Sequence, residues 1–351
     1  MSLKRVGRSS GIVITFAHRE EKIMPRSVKL TRRQCLGGLT ATAFASKAGG
    51  AKQHYPANQT IKIIAGYAPG STSDIVGRLV ADRLGAAWGV PIIVENIAGA
   101  NGNLANDRVA KGPQDGTQIL LITVNIATNQ FLYPRLSYDP ERDILPISCV
   151  ARLPNLLVVK KDLPVNSVAE LIALAKSNPA KLNYGHPGVG SSIHLAAEIF
   201  KRMTGIEMTG VGYRGSGPAL NDLMSGTIDV MFDNITASIN LARGGKIKAL
   251  AVTSAQRTQL APDYPTVAET VPGFDVASFH GVGVRTGTPA EIVAKVEGDV
   301  IALSQEPTVK ERLTDIAAEA VGSTSVDFAA FLTQERVRWG EIIKELGIRI
   351  E

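Results

Sequence analysis

The chain has 351 residues, 44% of them hydrophobic and 20% charged, a balance that fits an ordinary globular protein of roughly two domains. Its formal net charge of +6 is concentrated at one end: residues 1–48 hold ten Lys or Arg against two acids, a surplus of eight, so the remainder carries −2. That slightly acidic remainder lacks the basic footprint of a nucleic-acid binder, and no apolar stretch reaches the roughly 18 residues of a membrane span.

In chain order, residues 1–48 read as an export signal. Thr31-Arg32-Arg33-Gln34-Cys35-Leu36 is a twin-arginine pattern, a mildly apolar run follows from Leu36 to Ala45, and small residues around Ala43 to Ala45 and at Ala48 offer cleavage points. A start at Met24 would leave a more compact signal. Cys35 is not in a lipoprotein context, because Arg33 and Gln34 precede it. With the signal removed Cys149 is the only cysteine, so no intramolecular disulfide is expected.

From Ile61 onward the pattern alternates strand and helix. Ile61–Ile64 predicts a strand. Ile75, Val76, Leu79, Val80 and Leu84 predict a helix that Gly89 ends. Ile92–Val94 is a second strand, followed by a Gly-rich loop at 99–103, a short helix to Lys111 and an apolar strand from Gln118 to Thr123. Leu156–Val159 reads as the next strand, and Ser167-Val168-Ala169-Glu170 opens a helix as a capping box. Strands at 182–184, 228–232 and 247–252 alternate with helices toward Thr204 and to Gly244-Gly245. Thr288-Pro289-Ala290-Glu291 combines an N-cap, an N1 proline and an N3 acid, and two further helices run on to Gly347.

This alternation predicts an α/β protein with parallel sheets covered on both faces. No linker divides the two domains, so one is expected to be inserted in the other, with strands crossing near Leu156–Lys161 and Phe279–Val284. The expected limits are 56–157 with 284–351 for the first domain and 158–283 for the inserted one. Paired crossings act as a hinge, and clefts between hinged domains are favoured ligand sites.

Two Gly-rich turns sit at strand-to-helix junctions: Ala65 to Asp74 and Tyr184 to His194. A helix start presents unpaired N–H groups and the positive end of its dipole, glycine lets the backbone approach closely, and hydroxyls add neutral donors. Two such turns facing each other would hold a small anion at both ends. Capping alone accounts for Ser71 to Asp74 equally well, and the two roles are compatible. Gly210-Val211-Gly212-Tyr213-Arg214-Gly215 matches the loose dinucleotide pattern and keeps open an exported flavin- or nicotinamide-dependent oxidoreductase. Against it, the pattern falls mid-chain, and Gly217-Pro218 is expected to delay the following helix. His186 and His194 have no Cys, Asp or Glu at metal-ligand spacing, and no G-x-S-x-G elbow exists, which removes the hydrolase reading. Arg214 reads as solvated, and Trp88 and Trp339 as helix-packing residues.

From Tyr55 to Ile348 the chain resembles the periplasmic receptors of tripartite tricarboxylate transporters, the Bug (TctC-like) family. The resemblance is carried by Ala68-Pro69-Gly70-Ser71-Thr72-Ser73-Asp74-Ile75-Val76, by Val94 to Asn103, by Pro113-Gln114-Asp115-Gly116-Thr117 and by Tyr138-Asp139-Pro140. Glu170 to Lys176, His194 to Glu198, Tyr213-Arg214-Gly215-Ser216, Leu250 to Ser254 and Pro265 to Glu269 extend it. It implies a hinged, two-domain periplasmic binding protein-like (type II) fold that closes on a small carboxylate: a di- or tricarboxylate, an acidic amino acid or an aromatic acid. It further implies a periplasmic monomer that is not an enzyme, uses no cofactor or metal, and delivers its ligand to membrane subunits. Carried over, the first-domain contacts are Ala68, Gly70, Ser71, Thr72 and Asp74, with Thr123 and Asn125 at the same mouth. Those of the second domain are Gly188, Val189, Gly190, Ser191, His194, Tyr213, Gly215 and Asp233. Ser71 stands where the family usually has a second glycine, Gly210 and Gly212 replace His and Pro, and His186-Pro187 replaces small residues.

Overall fold

The computed structural model describes residues 55–56 and 59–350; the expected export signal, with Met24 and Cys35, lies outside the described residues. The first stretch runs β1 (Ile61–Ala65), α1 (Thr72–Trp88), β2 (Ile92–Asn96), α2 (Asn103–Ala110), β3 (Gln118–Ile122), α3 (Asn125–Leu132) and β4 (Ile144–Lys160). The second runs α4 (Val168–Ser177), β5 (Asn183–His186), α5 (Ser192–Thr204), β6 (Thr209–Gly212), α6 (Ser216–Ser225), β7 (Val230–Asn234), α7 (Ile235–Arg243) and β8 (Ile247–Val252). The chain closes with β9 (Ala277–Arg285), α8 (Ala290–Gln305), α9 (Pro307–Asp315), β10 (Glu319–Ala320) and α10 (Ser325–Leu346). Among the described residues no helix is long and apolar enough to cross a membrane.

Side chains alternate along each strand and divide into two apolar layers. Ile61, Ile63, Ile119, Leu121, Leu156 and Val158 join one layer, while Ile64, Leu120, Ile122, Leu157 and Val159 join the other. A sheet apolar on both faces needs helices on both, which is why the strands read as near-continuous apolar runs. Trp339 is fully buried in one layer, and the buried Cys149 thiol is pushed up to about 11 by loss of water around it.

The sheet is mixed rather than parallel. β2, β1 and β3 are parallel neighbours, as are β7, β5 and β6, but β9 pairs antiparallel with β3 and β4, and β7 and β8 pair antiparallel with β4. The cause is β4, a 17-residue strand of which sequence periodicity marks only the last part. Residues Ile144–Pro154 pair with β9, and residues Asn155–Lys160 pair with β7 and β8, so one strand serves two half-sheets. Its prolines hide it: Pro146 lies at a register shift and Pro154 at the last position paired with β9, both places that tolerate a missing donor. β9 pairs along its whole length within the first half-sheet and β8 within the second, so the chain makes its return passage between Val252 and Ala277.

Thr253, fully buried, ties the two passages together. Its hydroxyl oxygen accepts Asn155 N–H at 2.7 Å and donates to Val276 O at 2.6 Å. Its own N–H donates to Asn155 O at 2.9 Å, and Val276 N–H donates to Thr253 O at 3.0 Å.

Two expected helix starts differ. Pro218 does not delay α6, which begins at Ser216, because an imino nitrogen in the first turn costs none of the intrahelical bonds. Thr288 does not cap α8: its hydroxyl donates backward to Arg285 O at 2.7 Å, and Pro289 takes the cap position.

Thr253→Val leaves the Asn155 donor and the Val276 acceptor buried without partners. It should cost about 1–3 kcal/mol in chemical denaturation, while Thr253→Ser should recover most of it. A loss below about 0.5 kcal/mol would show that the knot adds no more than an ordinary surface contact.

Candidate functional site

A cavity of about 30 Å³ lies where the two half-sheets meet, and it is built from helix starts. Ser71 and Thr72 open α1, Val124 precedes α3, Ser191 and Ser192 open α5, Ser216 opens α6, and Asn234 caps α7; all line the cavity. Thr123 adds a hydroxyl from the end of β3, and Ser278 and His280 form a wall from β9. No Lys or Arg lines it. Five helix N-termini bring their partial positive charge and free N–H groups to one place, so the cavity favours negative charge without containing a cation.

The two Gly-rich turns are built alike. In α1 the Ser71 hydroxyl oxygen accepts Asp74 N–H at 3.4 Å, and Asp74 Oδ2 accepts Gly70 N–H at 3.1 Å. In α5 the Ser191 hydroxyl oxygen accepts His194 N–H at 3.2 Å, and His194 Nδ1 accepts Gly190 N–H at 3.4 Å. The third helical residue therefore reaches back to the glycine before the cap, a variant of the reciprocal box that fixes a helix entry. This arrangement takes the third N–H of each helix and leaves the first two, on the cavity-lining residues Thr72, Ser73, Ser192 and Ile193, without an intrahelical partner.

Each charge near the turns is neutralised. Burial works against ionisation of Asp74, but hydrogen bonds from Arg78 and Gly70 outweigh it and hold the carboxyl below its usual range; Arg78 Nη2 lies 2.9 Å from Oδ1. Burial pushes His186 down to about 4 and His194 down to about 3, so both rings are neutral at pH 7. They meet edge to face, with centroids 4.7 Å apart. His280, 2% exposed, is pushed down to about 3 by burial alone, and its Nδ1 has no partner. Among the described residues no three His, Cys, Asp or Glu side chains group to hold a metal.

The model of the tripartite tricarboxylate transporter family receptor, TctC, matches residues 76–348. The chain belongs to this family. An R. palustris protein solved with adipate is 39% identical with a TM-score of 0.82, covering 84% of this chain and 100% of its own. MatC from Rhodopseudomonas palustris, solved with bound malate, is 32% identical with a TM-score of 0.77, covering 81% and 99%. The periplasmic binding protein BugD is 30% identical with a TM-score of 0.80, covering 83% and 99%. The receptor is thus an α/β solute-binding protein of the two-lobed periplasmic type, not an oxidoreductase.

Within the receptor the sequence-expected residues line the cavity, support it from behind, close the seam between the lobes, or point away from it. Ser71, Thr72, Thr123 and Ser191 line the cavity. Asp74, Asn125 and His194 hold its walls: the Asn125 amide donates to Asn101 O at 2.8 Å and its oxygen accepts the Thr123 hydroxyl at 2.9 Å. Asp233 is fully buried behind Ser216. Tyr213 points elsewhere, donating to Asp222 Oδ2 at 2.7 Å, and Val189 packs against the core.

Ala68, Gly70, Gly188, Gly190 and Gly215 form the seam between the lobes. Ala68 N–H donates to Arg214 O at 2.9 Å on one side of the cavity, and the Thr128 hydroxyl donates to Gly190 O at 2.9 Å on the other. A β-carbon at Gly215 would lie 2.9 Å from Ala68 N, and one at Gly190 (φ 88°) would strike the Leu132 side chain. Gly215, the last glycine of the G-x-G-x-x-G pattern, thus serves the contact between the lobes.

Sequence reading missed Tyr67, Ser192, Ser216, Asn234, Ser278 and His280, all on the cavity wall. Ser192 and Ser216 carried a signal, as hydroxyls at helix starts. Ser278 and His280 carried none, since their position follows from the β9–β4 register.

Gly215→Ala should wedge the seam open. The free protein should show a larger radius of gyration by small-angle scattering and lose about 1–3 kcal/mol from the misfit. Gly212→Ala, whose β-carbon meets His186 only at 3.6 Å, is the control. Equal scattering for both variants would remove the close approach as a constraint on closure.

Proposed function

We propose that the protein is an exported receptor that captures a small carboxylate between its lobes and passes it to the membrane subunits of a tripartite tricarboxylate transporter. The observation that carries this reading is the convergence of five helix N-termini on a cavity with no cationic side chain. Neutral donors at fixed positions hold an anion firmly enough to carry it and loosely enough to release it. The adipate and malate of the solved relatives are the same class of anion.

The ligand-binding set is then Ser71, Thr72, Thr123 and Ser191 with the first-turn amides of α1 and α5, joined by Ser192, Ser216, Asn234 and Ser278. Ala68, Gly70, Gly188, Gly190 and Gly215 close the seam over it. A 30 Å³ space accommodates a water or two, so the lobes part to admit a dicarboxylate and close around it less tightly than here. Strand pairing supports a hinge at Pro154–Asn155 and between Val252 and Ala277, a few residues from the limits expected from sequence. Export by the twin-arginine route and a monomeric receptor complete the reading.

Adipate, malate, glutamate and benzoate in a thermal-shift screen test it. A true ligand at about 100 times its dissociation constant stabilises by roughly 2.7 kcal/mol. Ser192→Pro, at the first helical position, keeps the Ser191 cap and removes a first-turn N–H and a hydroxyl from the cavity, so it should abolish the shift for the best ligand. No stabilisation by any carboxylate, or a shift unchanged in Ser192→Pro, would overturn the assignment.

A further inference from the structure

We infer that the receptor binds its carboxylate together with one proton, and that the proton sits on Asp233. The inference rests on the carboxylate reading above and deepens it. Asp233 is fully buried at the end of β7, directly before Asn234, whose side chain lines the cavity and accepts the Ser192 hydroxyl at 3.2 Å. Neither carboxyl oxygen closes a hydrogen bond, although the Ser216 and Ser238 hydroxyls and the Asn234 N–H face it. Ser216 also lines the cavity, so a single hydroxyl separates this carboxyl from the anion space.

A buried carboxylate without a cation beside a bound anion is two negative charges in a low dielectric. No neighbouring element supplies the missing positive charge. On β5 and α5, His186 and His194 are neutral. On β9, His280 is neutral too, and on β4 the register partners are Leu156 and the Asn155 amide. At the far end of β7, Asp229 is paired with Lys160 at 2.6 Å; on α6, Asp222 accepts from Tyr213; on α1, Asp74 is paired with Arg78. For a ligand that brings no ammonium group, protonation removes the conflict, and the protonated acid gains a donor that an anion-facing hydroxyl can relay. Burial, working against the Ser216, Ser238 and Asn234 donors, already raises the group to about 7 in the free protein.

The sign follows. A bound anion raises the proton affinity of Asp233 further, so binding takes up a proton, and by reciprocity the anion is held less tightly once pH exceeds the free protein's titration point. A coupling of one pKa unit weakens binding at most tenfold, and roughly sixfold between pH 6.5 and 8.5, a range in which simple carboxylates are already ionised.

Titration calorimetry with adipate in buffers of different ionisation enthalpy reads the proton directly. Net uptake near pH 7.5, about sixfold weaker binding at pH 8.5 than at 6.5, and a flat profile in Asp233→Asn are expected. Binding with no uptake, or with release, overturns the inference and leaves the receptor reading intact; release would mark an ammonium ligand facing the carboxylate. A pH dependence that persists in Asp233→Asn assigns the proton elsewhere and also overturns it. Because that variant removes a buried group, carbon NMR of the Asp233 carboxyl in the wild-type free protein is the second measurement. An ordinary titration near pH 4 refutes the inference without any variant. If none of the four carboxylates of the thermal-shift screen binds at any pH, the carboxylate reading falls and takes this inference with it.

Discussion

Everything at the cleft follows from one strand being shared by two half-sheets. β4 runs antiparallel to β9, and β9 antiparallel to β3, so β4 points the same way as β1 and β3. Past Asn155 it runs antiparallel to β7, and hence to β5. The carboxyl ends of β1 and β3 therefore point toward the second half-sheet, and those of β5 and β7 point back toward the first. Helices that follow these strands must begin at the same crevice, which is where ligands collect in open α/β sheets. The convergence of N-termini is a consequence of strand direction, and Thr253 fixes the place where direction and partner change.

The same geometry explains why the site does without a cation. Each helix start carries roughly half a positive charge, worth up to about 2 kcal/mol to an anion when partly buried. Several together favour an anion while leaving no mobile cationic side chain to order on closure. A buried arginine there would need a permanent counter-ion whenever the cleft is shut without cargo. Amides and hydroxyls carry no such requirement, and serine is the residue that provides both an N-cap and a donor at these positions.

Much of this was legible in the residues, because local chemistry and global role coincide in the two Gly-rich turns. Gly70-Ser71 and Gly190-Ser191 announce helix starts whether or not a ligand comes. Strand and helix periods were clear wherever a segment is regular, as in α1, which Gly89 ends in the left-handed conformation. What stayed hidden depends on long-range pairing. β4 is broken by Pro146 and Pro154 in a way that local pattern reads as loop, although both fall at irregular points of the ladder. α3 follows β3 so closely that the apolar run masks the change of period. Ser278 and His280 reach the cavity only because β9 lies between β3 and β4. Asp74 and His194 were visible as site residues, but their partners are Gly70 and Gly190, so they shape the turns from behind.

That last pair shows how the chain keeps the crevice free of fixed charge. The two turns need the same hydrogen-bond acceptor at the third helical position, and the chain uses different groups for it. An aspartate works in α1 because Arg78, one turn along and facing outward, cancels its charge. In α5 the position is buried beside Tyr184 and His186, with no cation turned toward it; Lys201 is held by Glu198 instead. A carboxylate there would be stranded, whereas an imidazole held neutral by burial accepts the glycine N–H and asks for no counter-ion. One function, reaching back to a glycine amide, is thus met by a charged or an uncharged acceptor according to what the surroundings can balance. By that rule Asp233 stands apart: no cation of the protein faces it, so a ligand that brings none leaves the proton as its counter-charge.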